Sequence, residues 1–131
     1  MPIAQLFGFS FQSLEPGIAE IVQPYRNELS QGEGLFQGGV IGTLADFAGG
    51  AAAATLLPVN WLSMTVDYTV KIVSPGKGES LIARGHVVKP GRILTFAAAE
   101  IFAVGNDVET LCATALITMR NIEQATRTSK S

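Results

Sequence analysis

The stretch QGGVIGTLADFAGGAAAATLLP, residues 37–58, decides how this chain folds. Alanine is the strongest helix former and proline stops a helix, so the stretch predicts a helix from about Gly38 or Gly39 to Leu57, just before Pro58. Small side chains recur along it, which lets neighbouring backbone come close on most sides. Because a helix that is apolar all round is buried rather than amphipathic, we expect the rest of the chain to wrap around it.

Strands are predicted on both sides of this helix. Before it, Phe7–Leu14 and Ile18–Tyr25 form a hairpin, and an ordered loop follows at Arg26–Gln37. After it, the run from Leu62 to Ile72 alternates apolar and polar residues, which predicts a half-buried strand with all its even-numbered apolar side chains on one face. Three further strands are predicted at Ser80–Lys89, Ile93–Val104 and Val108–Met119.

Short turns between consecutive strands favour a mainly antiparallel sheet of five to six strands. The fold class is therefore α+β, with one buried central helix wrapped by one sheet. A single domain is expected over residues 1–122, followed by a polar C-terminal tail at 123–131. One helix cannot cover both faces of so large a sheet, so we expect a homo-oligomer, either a dimer or a dimer of dimers.

Composition narrows the class of protein. The 131 residues are 47% apolar and only 15% charged, which excludes disorder for the whole chain. The net charge of −2 gives no electrostatic reason to expect nucleic acid as a partner. Residues Met1–Leu6 lack the features of a secretory signal, and the lone Cys112 fits a reducing compartment, so a cytoplasmic location is expected.

A membrane-spanning helix is also not expected. Asp46 is the only charge between Gly34 and Val66, but the helical part of this segment is mostly glycine and alanine and carries that aspartate at its middle. Flanking basic anchors are missing as well. A helix buried in a protein core is the better interpretation.

Few other residues can carry chemistry. His86 is the only histidine and no Cys-x-x-Cys occurs, so no metal site is expected, and no nucleotide-binding motif supports a cofactor. A nucleophilic pair of Cys112 and His86 would have to join two separate predicted strands. Cys112 is more typical of a small core residue, and His86 of the sheet surface.

Asp46 differs from all of these. A carboxylate in the middle of an apolar helix costs several kcal/mol unless a cavity solvates it or a hydrogen bond holds it. No lysine or arginine lies within two turns to pair with it. The alternative is an aspartate that points to solvent or caps a loop, but the apolar surroundings favour a functional carboxylate.

The start of the helix adds a second chemical feature. At Gln37-Gly38-Gly39, free backbone N–H groups and the positive end of the helix dipole can hold an anionic oxygen. Asp46 follows Gly38 by eight residues, roughly 12 Å along a helix at 1.5 Å per residue. One helix cannot place both groups on the same carbonyl. If both act on one substrate, they belong to two subunits.

The run Phe36–Asp46 resembles the helix start of PaaI-like hotdog-fold acyl-CoA thioesterases, in which an HGG triplet precedes an LAD triplet. The similarity continues through Val66-Asp67-Tyr68, the break at Ser74-Pro75-Gly76 and the run Val87–Arg92. It covers nearly the whole chain from Phe7 to Met119.

This resemblance implies hydrolysis of an acyl-CoA, or aryl-CoA, thioester to the free acid and CoA, with no cofactor beyond the CoA of the substrate. Asp46 corresponds to the family's nucleophile or general base. Gly38 of a partner subunit corresponds to the glycine whose backbone N–H polarises the thioester carbonyl.

Two residues depart from the family pattern. Gln37 replaces the histidine of the triplet, and Gln31 replaces an asparagine six residues earlier. Gln31 can still donate an N–H to the carbonyl or orient a water, whereas Gln37 cannot titrate. A non-hydrolytic hotdog module that binds an acyl or aryl ligand is therefore the alternative. A hotdog hydratase would need a histidine at the site, and His86 lies on a late strand.

Substrate contacts are predicted at six positions. Gly39 shares the helix start, and Lys89 and Arg92 flank a turn where the family often meets the nucleotide end of CoA, with solvated turn charges as the alternative. The aromatic residues that could line an acyl or aryl pocket, or else pack in the core, are Phe36, Phe47 and Trp61.

Overall fold

A six-stranded antiparallel sheet packs against one long helix in the computed structural model, which describes residues 2–125. In chain order the elements are helix α1 (Pro2–Phe7), strands β1 (Ser10–Glu15) and β2 (Ile18–Pro24), a 3-10 helix (Asn27–Leu29), strands β3 (Ser30–Gly32) and β4 (Leu35–Phe36), helix α2 (Gly38–Ala54), and strands β5 (Trp61–Ile72), β6 (Ser80–Lys89), β7 (Leu94–Gly105) and β8 (Val108–Glu123). The main sheet has the order β1-β2-β6-β7-β8-β5. The predicted α+β architecture is thus confirmed.

Helix α2 lies close to the sheet because small residues meet at the contact. Gly85 of β6 lies against the backbone of α2, and a Cβ at this position would overlap the carbonyl oxygen of Ala48. A Cβ at Gly49 would come within 2.6 Å of the Ile117 side chain on β8. These contacts leave no room for larger side chains, so the sheet can approach the helix backbone and seal the core.

The core contains mostly aliphatic side chains from α2 and the strands that face it. Ile21, Leu44 and Ile101 are fully buried there. The side of α2 that carries Asp46 and Gly50 is only half-buried. The expectation that α2 is buried all round is therefore wrong, because the sheet edges β1 and β5 leave one side of the helix uncovered.

Several predicted boundaries also change. The chain forms helix α1 up to Phe7, so the first strand begins at Ser10 rather than Phe7. The predicted loop at Arg26–Gln37 contains a 3-10 helix and the two-stranded sheet of β3 and β4. Helix α2 ends at Ala54, because Leu56 and Leu57 donate to carbonyls only three residues back in tight turns before Pro58.

The last strand is longer than predicted. Strand β8 extends to Glu123, four residues beyond the predicted end and one residue into the predicted tail. Residues 126–131 of that tail lie outside the described part of the chain. The division into a domain at 1–122 and a tail at 123–131 stays a prediction.

Strand β5 does not keep its apolar side chains on one face. A β-bulge between Thr65 and Asp67 shifts its register against β8 and reverses the alternation. Beyond the bulge, Tyr68 and Val70 lie against Gly42 of α2. Before the bulge, Thr65 faces the helix instead of Met64. The predicted single apolar face of this strand is therefore wrong.

Strand β5 is also an edge of the sheet, and its apolar residues are largely exposed in the single chain: Met64 is 55% and Val66 57% exposed. Such an edge presents unpaired backbone groups together with apolar surface, which is typical of a surface that pairs with another chain. Among the described residues, no helix has the length and apolar character needed to cross a membrane.

Gly85→Ala should destabilise the protein, because its methyl group would collide with the Ala48 carbonyl, an atom of the helix backbone that cannot move aside. We expect a loss of about 3 kcal/mol in the free energy of unfolding, measured by urea denaturation. Gly105→Ala is the matched control, since a Cβ there meets only the Gly78 Cα, at 4.0 Å. Equal midpoints for the two variants would contradict the close packing of α2 on β6.

Candidate active site

Asp46 lies on the uncovered side of α2, half-buried and directed toward β5. Its Oδ1 accepts a hydrogen bond of 2.8 Å from the Thr65 hydroxyl. None of the ion pairs formed within residues 2–125 includes Asp46. The carboxylate is therefore held in place by a neutral donor, and no cation neutralises it.

A pocket of about 540 Å³ opens beside this carboxylate. It lies between the uncovered side of α2, strand β1 and the first half of β5, and most of its lining is apolar. Its lining residues are Phe11, Leu14, Asp46, Phe47, Gly50, Ala51, Ala54, Thr55, Ser63, Thr65 and Met119. A cavity of this size and polarity suits a small organic ligand, with Asp46 as the only charged group in the lining.

The helix start forms the second candidate group. Gln37 caps α2: its Oε1 accepts a hydrogen bond of 3.2 Å from the Val40 N–H. The backbone N–H groups of Gly38 and Gly39 donate to no acceptor within residues 2–125. They are thus available to a ligand, as is usual for the first turn of a helix.

Gln31 lies beside this helix start. It is the bulged residue of β3, between the pairs that Ser30 and Gly32 make with β4, and β4 leads directly into the cap of α2. Its side chain is exposed and makes no hydrogen bond in the described part of the chain. The strand pair that carries Gln31 therefore leads directly into Gln37, Gly38 and Gly39.

Asp46 stands apart from that group. None of Gln31, Gln37, Gly38 and Gly39 lines the pocket beside Asp46. The separation follows from the helix itself, since eight residues of α2 place Asp46 about 12 Å beyond Gly38. Within one chain, the predicted catalytic residues form two separate sets.

The predicted aromatic residues have different positions. Phe47 lines the pocket and packs against Phe9 and Phe11, with ring centroids 4.7 and 5.8 Å away. Phe36 is a core residue in edge contact with Tyr25. Trp61 is half-buried at the start of β5 and outside the pocket lining. Of the three, only Phe47 is a pocket residue in the single chain.

Lys89 and Arg92 are both exposed around the turn between β6 and β7, and neither forms an ion pair within residues 2–125. This turn is anchored by Asn121, a buried side chain that the sequence did not single out. Its Nδ2 donates to the Gly91 carbonyl at 2.8 Å and to the Thr95 hydroxyl at 3.1 Å. These hydrogen bonds fix the backbone of the turn that Lys89 and Arg92 flank.

The other reactive side chains lie away from the pocket. Cys112 is buried in β8, and burial raises the pKa of its thiol, which disfavours a nucleophilic thiolate. His86 Nδ1 lies 3.7 Å from Glu100 Oε1 at the sheet surface. Arg84 binds Glu20 and Glu109, which raises the pKa of the guanidinium and lowers that of the Glu109 carboxyl. No group of three or more potential metal ligands occurs among the described residues.

Sequence reasoning missed three pocket features: Thr65, Phe11 and Leu14. Thr65 belongs to the polar half of an alternating strand, so only its bulge could have revealed that it faces Asp46. Phe11 and Leu14 lie more than thirty positions before Asp46, and no local pattern joins them to it.

Comparisons with known proteins identify the family of the chain. The thioesterase superfamily matches residues 33–110, more than half of the chain. A protein of Halobacterium salinarum assigned as an esterase is 35% identical over 107 residues, which is 78% of this chain and 69% of the relative. The segment that matches the superfamily, residues 33–110, contains Asp46, the helix start and strands β5 to β7.

Solved structures show the same fold. A thioesterase family protein from Silicibacter pomeroyi superposes with a TM-score of 0.92 at 33% identity, covering 94% of this chain and 90% of its own. The E. coli PaaI protein from the phenylacetic acid degradation operon superposes with a TM-score of 0.83 at 20% identity, with 95% and 87% covered.

The expected relation to PaaI-like thioesterases is thereby confirmed at the level of the family. The match includes all of helix α2, which carries both Gly38 and Asp46, and the structural similarity extends over nearly all of the chain. The chain belongs to the thioesterase superfamily and is a hotdog-fold thioester hydrolase.

Proposed function

We propose that the protein hydrolyses an acyl-CoA thioester, with Asp46 as the reacting carboxylate. The observation that carries this proposal is the position of Asp46, the one charge in the lining of an apolar pocket, fixed by Thr65 and paired with no cation of residues 2–125. An apolar pocket accepts the acyl group, and the carboxylate lies at its edge, where the thioester carbon would be. Family membership supports the reaction class.

Two chemical routes are open to Asp46. As a nucleophile, a carboxylate oxygen attacks the thioester carbon, the C–S bond breaks, CoA leaves as the thiolate, and water then cleaves the mixed anhydride to regenerate Asp46. As a general base, Asp46 takes a proton from water while the water oxygen attacks the same carbon; the C–S bond then breaks, and CoA leaves as the thiol with the proton that Asp46 returns. Both routes develop negative charge on the carbonyl oxygen.

Backbone N–H groups at a helix start suit that developing charge. Gly38 and Gly39 carry unused N–H groups at the positive end of α2, and Gln31 adds a side-chain amide beside them. Because these groups lie about 12 Å from Asp46 on the same helix, we infer that a partner subunit supplies them. The exposed apolar edge of β5 supports such pairing of copies, and a dimer is the smallest assembly that completes the site.

The CoA moiety needs a cationic contact outside the acyl pocket. Lys89 and Arg92 offer two charges at the anchored turn between β6 and β7 that pair with no carboxylate of residues 2–125, and a guanidinium binds phosphate well. We place the CoA phosphates at this turn. The free thiol of Cys112 supports the cytoplasm as the compartment.

Asp46→Asn should abolish most turnover, because the amide neither attacks the carbonyl nor accepts the water proton. We expect kcat to fall by about 10²–10⁴-fold, followed as thiol release from a panel of aliphatic and aryl CoA thioesters. Asp107→Asn is the matched control, an exposed residue of the β7–β8 turn, and should keep the wild-type rate.

Unchanged turnover in Asp46→Asn would overturn the role of this residue. If the wild-type protein binds CoA esters by calorimetry and hydrolyses none of them, the chain acts as a non-hydrolytic module.

Thr65→Val should lower kcat about tenfold with little change in KM, because it removes the hydroxyl that holds Asp46 while keeping the side-chain shape. Thr65→Ser keeps the hydroxyl and should recover most of the rate. Steady-state thiol release measures both variants. A serine variant as slow as the valine variant would show that the hydrogen bond is not what matters at this position.

Gln31→Ala should lower kcat more than it weakens substrate binding, if the amide serves the developing negative charge. Gln124→Ala, an exposed glutamine after β8, is the matched control and should leave both constants unchanged. Steady-state kinetics on the same thioester distinguishes the two constants. A rise in KM alone would assign Gln31 to substrate binding only.

The same variants test whether the site joins two subunits. A mixed dimer of Asp46→Asn and Gln31→Ala chains has one site with both native residues, so random mixing should restore about a quarter of the wild-type rate. No recovery, or a monomer in sedimentation at assay concentration, would contradict the cross-subunit site.

A further inference from the structure

The pocket beside Asp46 is elongated along α2. Two rows of helix residues form its floor: Asp46, Gly50 and Ala54 in one row, and Phe47, Ala51 and Thr55 in the next. Members of a row are four residues apart and therefore lie one above another on the same helix face. Beyond Asp46, its own row has no side chain larger than a methyl group, and the Met119 side chain packs over Gly50, so the channel along the helix runs beside Met119.

The length of this channel follows from the helix rise. Eight residues separate Asp46 from Ala54, which corresponds to about 12 Å. An extended chain advances roughly 1.2 Å per bond, taken from the reach of about 3.6 Å for the three backbone bonds of a residue. A chain of about eight to ten carbons therefore spans the distance from the carboxylate to the far end.

The walls of the channel are apolar. Leu14 and Phe11 of β1 line one side, and the Met119 side chain bounds it near Gly50, where a Cβ would lie 3.2 Å from the Met119 Cε. The polar lining residues Ser63 and Thr65 lie on the β5 wall. Most of this surface is therefore suited to bind a hydrocarbon chain.

The far end offers no hydrogen bond to a ligand. Thr55 is the polar residue there, and its hydroxyl already accepts from the Gly17 N–H at 2.7 Å and donates to the Ala52 carbonyl at 2.6 Å. A hydroxyl at the tip of an acyl group would therefore meet mainly apolar lining and find no free donor on Thr55.

The geometry points to an aliphatic acyl chain of about eight to ten carbons, without a polar group at its tip, as the acyl part of the substrate. Gly50 and Ala54 keep the channel open, and Ala54 and Leu14 set how far the chain extends. This assignment rests on the proposed thioesterase function and adds to it the class of acyl group.

The test is a series of straight-chain CoA thioesters from acetyl to dodecanoyl, with phenylacetyl-CoA and 8-hydroxyoctanoyl-CoA beside them. We expect kcat/KM to rise by about fourfold per methylene as each is buried, and to stop rising at about eight to ten carbons. The terminal hydroxyl should lower kcat/KM at least about tenfold relative to octanoyl-CoA.

Two variants change the channel in opposite directions. Ala54→Leu places a larger side chain at the far end and should lower kcat/KM for octanoyl-CoA about tenfold, leaving butanoyl-CoA within about twofold of the wild type. Leu14→Ala widens the end and should move the optimum to longer chains. Both positions are exposed in the single chain, so neither change disturbs the core. Ala125→Leu, after β8, is the matched control and should leave the profile unchanged.

The outcomes separate this inference from the proposed function. Hydrolysis of short thioesters that is lost in Asp46→Asn but shows no dependence on chain length overturns the acyl assignment alone. A clear preference for phenylacetyl-CoA, or an equal loss for butanoyl- and octanoyl-CoA in Ala54→Leu, also overturns it. Absence of hydrolysis for every thioester overturns the proposed function itself.

Discussion

The close approach of α2 to β6 is the constraint on which the rest of the structure depends. Gly85 allows the sheet to lie directly on the Ala48 carbonyl, and Gly49 accommodates Ile117 of β8. A sheet this close to a helix must bend around it, so the strands next to β6 seal the buried side of α2. The opposite side stays uncovered because β1 and β5, the two edge strands of the sheet, do not meet across the helix.

That uncovered side explains how a carboxylate can exist in an otherwise apolar helix. Asp46 avoids the cost of full burial because it lies at a pocket and accepts a hydrogen bond from Thr65. The hydrogen bond depends on the bulge in β5, which turns Thr65 rather than Met64 toward the helix. Small residues recur along all of α2: Gly49 permits close packing on one side, and Gly50 and Ala54 line the pocket on the other. The high glycine and alanine content of α2 therefore accounts both for its close packing on the sheet and for the pocket on its other side.

The division of the proposed site between two copies has an equally simple origin. A straight helix cannot bring its first turn and its middle to one carbonyl, since the two are about 12 Å apart. Within residues 2–125, the N–H groups of Gly38 and Gly39 have no acceptor and the carboxylate of Asp46 has no cation, and the apolar edge strand β5 is exposed. An assembly that pairs copies across this edge would cover the exposed apolar residues of β5. It would also bring the helix start of one copy toward Asp46 of the other.

The sequence by itself determined the elements and their types. Local periodicity and turn residues placed α2 and the main strands to within a few residues, and the isolation of Asp46 in an apolar helix indicated a functional carboxylate. It also identified the glycines at the helix start. Each of these features depends on residues that are neighbours along the chain.

Only the tertiary structure decided what surrounds Asp46. Thr65 faces it because of a bulge, Phe11 and Leu14 reach it from a distant edge strand, and Asn121 anchors the turn that carries Arg92. Phe36, a candidate either for the pocket or for the core, packs in the core. Periodicity cannot reveal such contacts, because a shift of one residue in a strand reverses which side chains face the helix. The register is set by the strands that pair across the sheet, and those lie far apart in the sequence.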